Sequence, residues 1–426
     1  MGAVSRGGHA RRLPPGVDSP SYWQLLKGNA AFRYLWFGVV VSFFGDWFST
    51  IALYTLAQDL SDSARVLAAI LIAKTLPIFL VAPITGPVVD RMDRRWLMIG
   101  TDVARSALTV GLIGAAGAGS LELAIGVLAL RTACTGLFIP ARTAVIPQLT
   151  TRGELPVAMA LSGGTWSVML ALGAAAGGLV TAGVGVIGAL WIDALTYLLS
   201  AASLWWLPSL PPAGAGTGPG TSFLDGIRVL RGRVFLVALL LSKAGMALAT
   251  ASLVTLPMYG NGVYAATAGA TWIGALYAAR GLGALVGSVG VRKITGDGEG
   301  ALSGALPIGF AWSGAWLAGL MIAPSIGWAA LCFLGAGIGN GVIWVFSGIL
   351  AQRAIPDGYR GRLFSLEFGL MTLISASSSW LAGSAIDTGG WSPQQVNLAV
   401  GGSMLGPTLL WLGVGGWRWR RAGRLE

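Results

Sequence analysis

Twelve long apolar stretches restrict the fold of this sequence more than any other feature. Helices that cross a bilayer need about 20 mostly apolar residues. Stretches of this kind lie near residues 34–57, 65–89, 96–118, 121–141, 156–182, 185–207, 234–258, 265–291, 300–323, 325–350, 363–386 and 395–417. We therefore predict an all-α integral membrane protein with twelve transmembrane helices, which we number spans 1 to 12.

The composition agrees with a membrane protein. Of the 426 residues, 54% are hydrophobic and only 11% are charged, whereas soluble domains carry about 25% charged residues. The first 30 residues lack the apolar region of a cleavable signal peptide. We therefore expect span 1 to serve as the insertion signal.

Lysine and arginine are concentrated in every second loop along the chain. The two tails and the loops after even-numbered spans hold nearly all of these residues, and the loops after odd-numbered spans contain only Arg65. By the positive-inside rule, both termini and the even loops are cytoplasmic. This distribution accounts for the net charge of +11 without a nucleic-acid partner. We expect a multi-pass monomer in the cell (inner or plasma) membrane.

A segment rich in proline and glycine, "PSLPPAGAGTGPGTS" at 208–222, separates six spans from six. The following "FLDGIRVLRGR" predicts a short amphipathic helix on the cytoplasmic membrane face. We predict two pseudo-symmetric six-helix bundles joined by this linker and flanked by cytoplasmic tails. The units in chain order are the N-terminal tail, first bundle, linker with its helix, second bundle and basic tail, at 1–33, 34–207, 208–233, 234–417 and 418–426.

The stretch "GPVVDRMDRR" at 86–95 concentrates five charges in six positions directly after span 2. A degenerate copy, Gly287-x-x-x-Val291-Arg292, follows span 8. The stretch resembles the G-x-x-x-D-R-x-x-R-R signature loop of the major facilitator superfamily, matched here by Gly86, Asp90, Arg91, Arg94 and Arg95. The resemblance implies two bundles around a central cavity that opens alternately to each side of the membrane.

The resemblance also implies that these five residues form a conformational latch. Asp90 would face the start of span 11, near 361–364, where a helix N-terminus favours a negative charge by about 0.3–2 kcal/mol. Asp90 could also accept hydrogen bonds from Arg94. The alternative is that the charges are only a positive-inside stop signal.

Three further stretches, "SFFGDWFSTIAL", "FIPARTAVIPQL" and "FLDGIRVLRG", resemble the branch that includes the enterobactin exporter and macrolide-efflux proteins. That resemblance implies secondary active export of a small amphipathic or aromatic compound, such as a drug, siderophore or secondary metabolite, by proton antiport.

Charged residues inside the spans are candidates for coupling to protons, since each costs about 2.5–3.5 kcal/mol to insert. They are Asp46, Arg131, Asp193 and Glu367. Spans 1, 4, 7 and 10 line the cavity in a transporter of this shape, so we expect Arg131 to face Asp46. Burial raises the pKa of a carboxyl group and a nearby arginine lowers it, so a carboxyl group in such a place is suited to bind and release a proton. The alternatives are a static ion pair and, for Asp193, solvation at the outer end of span 6.

Three residues are candidates to line the substrate cavity. Lys243 lies on span 7, and Arg280 on span 8 could pair with Glu367 or with an anionic substrate. Trp344 on span 10 could stack on a flat substrate, the alternative being helix packing. Asp102 and Arg105 on span 3 are spaced to pair locally or with the latch.

A small-residue pattern in span 5 includes Gly173, Gly177 and Gly178, with Ala174 where the antiporter motif G-P-x-x-G-G has proline. Small residues allow close packing against a neighbouring helix.

The sequence disfavours enzymatic chemistry. The single histidine, His9, lies in the polar tail, and Cys134 and Cys332 have no metal-binding spacing. No G-x-x-x-x-G-K-[ST] loop for ATP occurs. We therefore expect no cofactor, no metal and transport driven by a gradient. An importer or uncoupled facilitator of the same fold is the alternative, followed by a non-transporting receptor.

Overall fold

The computed structural model describes residues 20–89, 91–151, 153–211, 230–263, 269–296, 298–355 and 360–422. Its helices overlap the predicted spans in the same order, and we number them α1 to α12 accordingly. In the first half, α1 is Ala30–Leu60, α2 is Ala64–Ala73 and Leu76–Val89, α3 is Arg94–Gly117, α4 is Leu121–Leu149, and α5 and α6 share Leu155–Leu204. A short helix, Tyr22–Gly28, precedes α1.

The second half has the same organisation with more irregular turns. Here α7 is Val234–Ala247 continued by Leu248–Ala251 and Ser252–Met258, α8 is Gly269–Leu285 continued to Thr295, α9 is Glu299–Gly319, α10 is Ile326–Ala354, α11 is Arg360–Asp387, and α12 is Pro393–Ser403 with Leu405–Ala422.

Ten segments of the described residues are long and apolar enough to cross a membrane. The segment covering α5 and α6 contains two crossings, because Gly185 breaks it with a left-handed φ of 75°. α11 is more polar than the other spans and is not among the ten. Together these segments form the twelve-helix fold that the apolar stretches predict.

The fourth helix is longer than predicted. It continues past residue 141 to Leu149 with Pro140 and Pro147 inside it. Proline cannot donate to the carbonyl four residues earlier, which for Pro140 belongs to Gly136. The Thr85 hydroxyl of α2 lies 3.4 Å from that carbonyl oxygen and donates to it. A neighbouring helix therefore satisfies the freed group, as membrane helices require.

The two halves meet closely where α5 crosses α8. A side chain at Gly178 would lie 2.8 Å from the Ala270 carbonyl oxygen, and one at Gly274 would lie 2.6 Å from the Ala174 carbonyl oxygen. The small-residue pattern in span 5 thus permits close packing between the halves. Gly173 and Gly177 of the same pattern pack against Trp47 of α1.

A second contact between the halves lies at the end of the bundle opposite the arginine-rich loops, which we call the arginine-poor end. Asp387 at the end of α11 accepts hydrogen bonds from the first residues of α2. The donors are the Ser63 hydroxyl at 2.5 Å and the Ala64 and Arg65 backbone N–H groups at 2.8 and 3.1 Å. This carboxylate therefore caps a helix of the other half.

Candidate functional site

Arg131 of α4 lies at the centre of a buried polar cluster in the first half. Its Nη1 lies 2.6 Å from Asp193 Oδ2 and 3.2 Å from Thr109 Oγ1, and its Nη2 lies 3.0 Å from Ser49 Oγ. The Arg131 and Asp193 side chains are 4% and 0% exposed. The alternative that Asp193 is solvated at the outer end of span 6 is therefore wrong.

The expected pairing of Arg131 with Asp46 is also wrong, because Asp193 takes that place. A side chain at Gly45 would lie 2.6 Å from Asp193 Oδ1. The missing side chain at Gly45 lets α6 approach α1 so closely that Asp193 reaches Arg131. Asp46 is half-buried, and its Oδ1 accepts a hydrogen bond from the Tyr197 hydroxyl at 2.5 Å.

Tyr197 links the charges of the first half and was not among the sequence candidates. The guanidinium carbons of Arg105 and Arg131 lie 4.5 and 5.9 Å from its ring centroid. It follows Asp193 by four residues on α6, so both side chains lie on one helix face. That spacing was the signal available in the sequence.

Lys74 lies at the break between the two parts of α2. Its Nζ donates to the Thr50 hydroxyl, which donates to the Asp46 backbone carbonyl. Nζ also lies 5.7 Å from the centroid of the Trp47 ring. The lysine thus contacts α1 at two residues, Trp47 and Thr50, that follow Asp46.

Asp102 and Arg105 of α3 pair with each other, which is the local pairing allowed by their spacing. Both side chains are fully buried, and the Arg105 guanidinium carbon lies 4.4 Å from the Phe138 ring centroid.

In the second half, Glu367 of α11 pairs with Lys243 of α7, whose Nζ lies 2.8 Å from Glu367 Oε2. The expected pairing of Glu367 with Arg280 is therefore wrong. Arg280 is half-buried, and no ion pair joins it to any residue of the described ranges. Glu367 Oε1 and Asp193 Oδ1 are buried, and neither accepts a hydrogen bond from a described residue.

Trp344 of α10 stacks on Trp166 of α5, so the two halves also meet here. The ring centroids are 6.3 Å apart and the planes differ by 13°. Lys243 Nζ lies 4.9 Å from the Trp344 centroid. Trp166 and Trp344 are 53% and 41% exposed, so this aromatic pair presents free surface.

The residues of the predicted latch are only partly described. Asp90 and 356–359 lie outside the described residues, and Gly86 lies in the second part of α2. Arg91 is exposed in the turn that follows. Arg94 is buried, and its backbone N–H donates to the Leu210 carbonyl at 3.0 Å.

Arg95 also contacts the end of α6. Its Nη2 donates to the Trp205 carbonyl at 2.5 Å, and its guanidinium carbon lies 5.2 and 5.6 Å from the Trp96 and Trp205 rings. The described contacts of Arg94 and Arg95 thus fix the start of α3 within the first half.

Asp93 is a structural position of this loop that the motif did not single out. It caps α3 by accepting from the Arg95 N–H at 2.9 Å, and it accepts from Ser209 Oγ at 2.6 Å and the Leu210 N–H at 3.1 Å. Burial alone would raise the pKa of this carboxyl, but these hydrogen bonds and the Trp96 backbone N–H outweigh burial, so the pKa lies below its usual value.

A cavity of about 740 Å³ lies at the arginine-rich end of the second half. Its lining residues are Arg292, Ile349, Gln352, Arg353 and Phe364. The described residues contain no group of three His, Cys, Asp or Glu side chains that could hold a metal ion.

The family model of the Major Facilitator Superfamily matches residues 35–379, and the chain belongs to this superfamily. The protein is thus a multi-pass membrane protein of a transporter family, and family membership favours a non-enzymatic role.

Two curated relatives from Bacillus subtilis (strain 168) illustrate the similarity. The MFS-type transporter YfiS is 26% identical over 347 residues, which cover 79% of this chain and 82% of the relative. The putative bacilysin exporter BacE is 32% identical over 177 residues, which cover 41% of this chain and 43% of BacE. The match to BacE therefore spans less than half of either protein.

Solved structures share the fold at low sequence identity. The nucleoside transporter NupG superimposes with a TM-score of 0.68 at 12% identity, over 90% of this chain and 98% of NupG. A bacterial homologue of the iron transporter ferroportin in its inward-facing state superimposes with a TM-score of 0.65 at 18% identity, over 90% and 98% of the two chains.

Proposed function

We propose that this protein is a secondary active transporter that exports a small amphipathic or aromatic compound by proton antiport and alternating access. The observation that carries the proposal is a set of carboxylates inside the spans, each held by a hydrogen bond or an ion pair. They are Asp46 and Asp193 in the first half and Glu367 in the second half. Intramembrane ionisable residues of this kind mark substrate and proton pathways.

The carboxylate arrangement suits proton transfer. Asp193 and Glu367 each have one oxygen paired with a cation and one buried oxygen that accepts nothing from the described residues. A proton can add to the open oxygen without displacing the cation. Asp46 is half-buried and hydrogen-bonded through Tyr197, so it is the member of the first-half cluster that a proton from the cavity would reach first.

The substrate class follows from the aromatic pair. Trp166 and Trp344 come from opposite halves and remain partly exposed. A flat apolar group could stack on either ring, and the contact would change when the halves move apart. Lys243, held by Glu367 over the Trp344 ring, adds a polar contact at the same place.

Export is the direction favoured by the partial similarity to a relative named as a putative exporter. We further propose that both termini and the arginine-rich loops are cytoplasmic, with a monomer in the plasma membrane. On this topology the Asp387 contact closes the outer end. The loop containing Gly86, Asp90, Arg91, Arg94 and Arg95 would latch the inner end in the alternate state.

The proposal is tested by measuring how much of each candidate compound accumulates in cells that overproduce this protein and in cells that lack it. We expect less accumulation in producing cells, and a protonophore should remove the difference. Greater accumulation in producing cells would indicate the importer, and a difference insensitive to the protonophore would indicate the uncoupled facilitator. Equal accumulation for every compound would favour the receptor.

A further inference from the structure

Arg280 has an environment unlike that of four other cations inside the bundle. Arg105, Arg131 and Lys243 each form an ion pair, and Lys74 donates to a hydroxyl. Arg280 has no side-chain hydrogen bond or ion pair to a described residue. A guanidinium cannot lose its proton in a protein, so its charge at this depth needs a partner.

Packing of α8 sets the direction of this arginine. Side chains at Gly283 and Gly287 would collide with the α10 backbone, so that face of α8 contacts α10. Tyr277 contacts α1, with its ring centroid 5.4 Å from that of Trp47 and 5.9 Å from that of Tyr54.

Arg280 follows Tyr277 by three residues, so the two share one side of the helix. At 100° per residue, Arg280 lies between the face that contacts α10 and the face that contacts α1. It therefore projects into the space between the two halves.

The exposed tryptophans lie on the arginine-rich side of this guanidinium. A side chain at Gly337 of α10 would collide with the Arg280 carbonyl, which places these residues at the same level. Trp344 lies seven residues further along α10, about 10 Å away along the axis. Gly281 contacts Leu170 of α5. Trp166 lies one turn before Leu170 in α5, about 6 Å along the axis toward the arginine-rich end.

We propose that the substrate carries a carboxylate that pairs with Arg280 while its aromatic part lies against Trp166 and Trp344. The guanidinium fork matches a carboxylate in a bidentate geometry. The inference rests on the proposed function, because it names the class of compound that the proposed transporter carries. It predicts aromatic acids in preference to neutral or cationic aromatic compounds.

Thermal unfolding of the purified full-length protein in detergent tests this preference without any gradient. The probes are 1-naphthylacetate, indole-3-acetate and 4-aminobenzoate, each beside its primary amide. We expect at least one acid to raise the melting temperature and its amide to need at least about a tenfold higher concentration for the same shift, as loss of a charge-assisted bond implies.

Three variants identify the residue responsible. Arg280→Gln should weaken protection by the acid at least about tenfold, whereas Arg280→Lys keeps the charge and should retain part of it. Arg33→Gln, at an exposed arginine near the start of α1, should bind as the wild type does. The ligand-free melting temperature of each variant shows whether it is folded.

Equal protection by acids and amides, unchanged protection in a folded Arg280→Gln protein, or no protection by any acid at millimolar concentration would each overturn the inference. Acid binding through Arg280 without gradient-driven transport would refute the exporter and leave this site standing. Proton-driven export of neutral compounds, unaffected by Arg280→Gln, would refute the site and leave the exporter standing.

Discussion

At the scale of single residues, Arg131 organises the first half. It joins α4 to α6 through Asp193, to α3 through Thr109 and to α1 through Ser49. A buried ion pair is costly to break from one side, because the remaining charge has no partner. The pair is therefore both a structural contact between helices and the core of the proposed proton site.

Removal of one partner of this pair should destabilise the protein strongly. We expect Asp193→Asn to cost about 3–5 kcal/mol, since Arg131 is left charged and uncompensated. The double variant Asp193→Asn/Arg131→Gln should recover part of the loss. Thermal unfolding in detergent measures both, with Asp59→Asn at the exposed end of α1 as the control. A single variant as stable as this control would refute the role assigned to the pair.

At the scale of helices, the start of α3 is fixed by contacts with the end of α6. Asp93 caps α3 and receives two further hydrogen bonds from Ser209 and Leu210. Arg95 binds the Trp205 carbonyl. These contacts hold the start of α3, where the proposed latch ends, against the end of α6.

Replacement of this cap should lower stability in a pH-dependent way. Asp93→Ala should cost about 0.5–2 kcal/mol at neutral pH. Because the folded pKa of Asp93 is lowered, its stabilising effect is complete above the usual carboxyl pKa of about 4 and is lost as the pH falls through the lowered value.

Melting of the wild type and Asp93→Ala across acidic pH checks the sign, with Asp59→Ala as a control for the general loss of a carboxylate. A difference between wild type and Asp93→Ala that persists unchanged to the lowest pH would contradict the charge-dependent cap.

At the scale of the whole molecule, the described contacts between the halves include one at the arginine-poor end. Asp387 caps the first turn of α2 from the other half. In the proposed alternating-access cycle, this contact must break when that end opens. On that proposal, the carboxylate biases the equilibrium between the two conformations without contact with the proposed substrate site.

Asp387→Ala should shift the population toward opening at the arginine-poor end. Loss of hydrogen bonds to a charged group implies a change of about tenfold or more in the conformational equilibrium. Spin labels at Asp62 and Thr388, both exposed, should show a larger fraction of long distances in a background without Cys134 and Cys332. Asp59→Ala serves as the control, and an unchanged distance distribution would show that Asp387 does not hold the halves together.

The sequence predicts the helices of this molecule better than their contacts. Apolar length and the arginine pattern identified all twelve helices, including the more polar α11, because bilayer thickness fixes span length. The partner of Arg131 could not be predicted, because it depends on how closely α6 approaches α1 at Gly45. The pairing of Glu367 with Lys243 in place of Arg280 likewise depends on tertiary packing, because glycines that contact α10 set the rotation of α8.

The most direct test of proton antiport is transport by purified protein in lipid vesicles, with wild type, Asp46→Asn and the control Asp59→Asn. The substrate is one shown by the accumulation assay to be exported. Asp46→Asn should abolish transport driven by a pH gradient and preserve substrate exchange at equal pH on both sides, because exchange requires no net proton movement. Asp59→Asn should retain both activities. Gradient-driven transport by Asp46→Asn at the wild-type rate would contradict the proposal that Asp46 carries the proton.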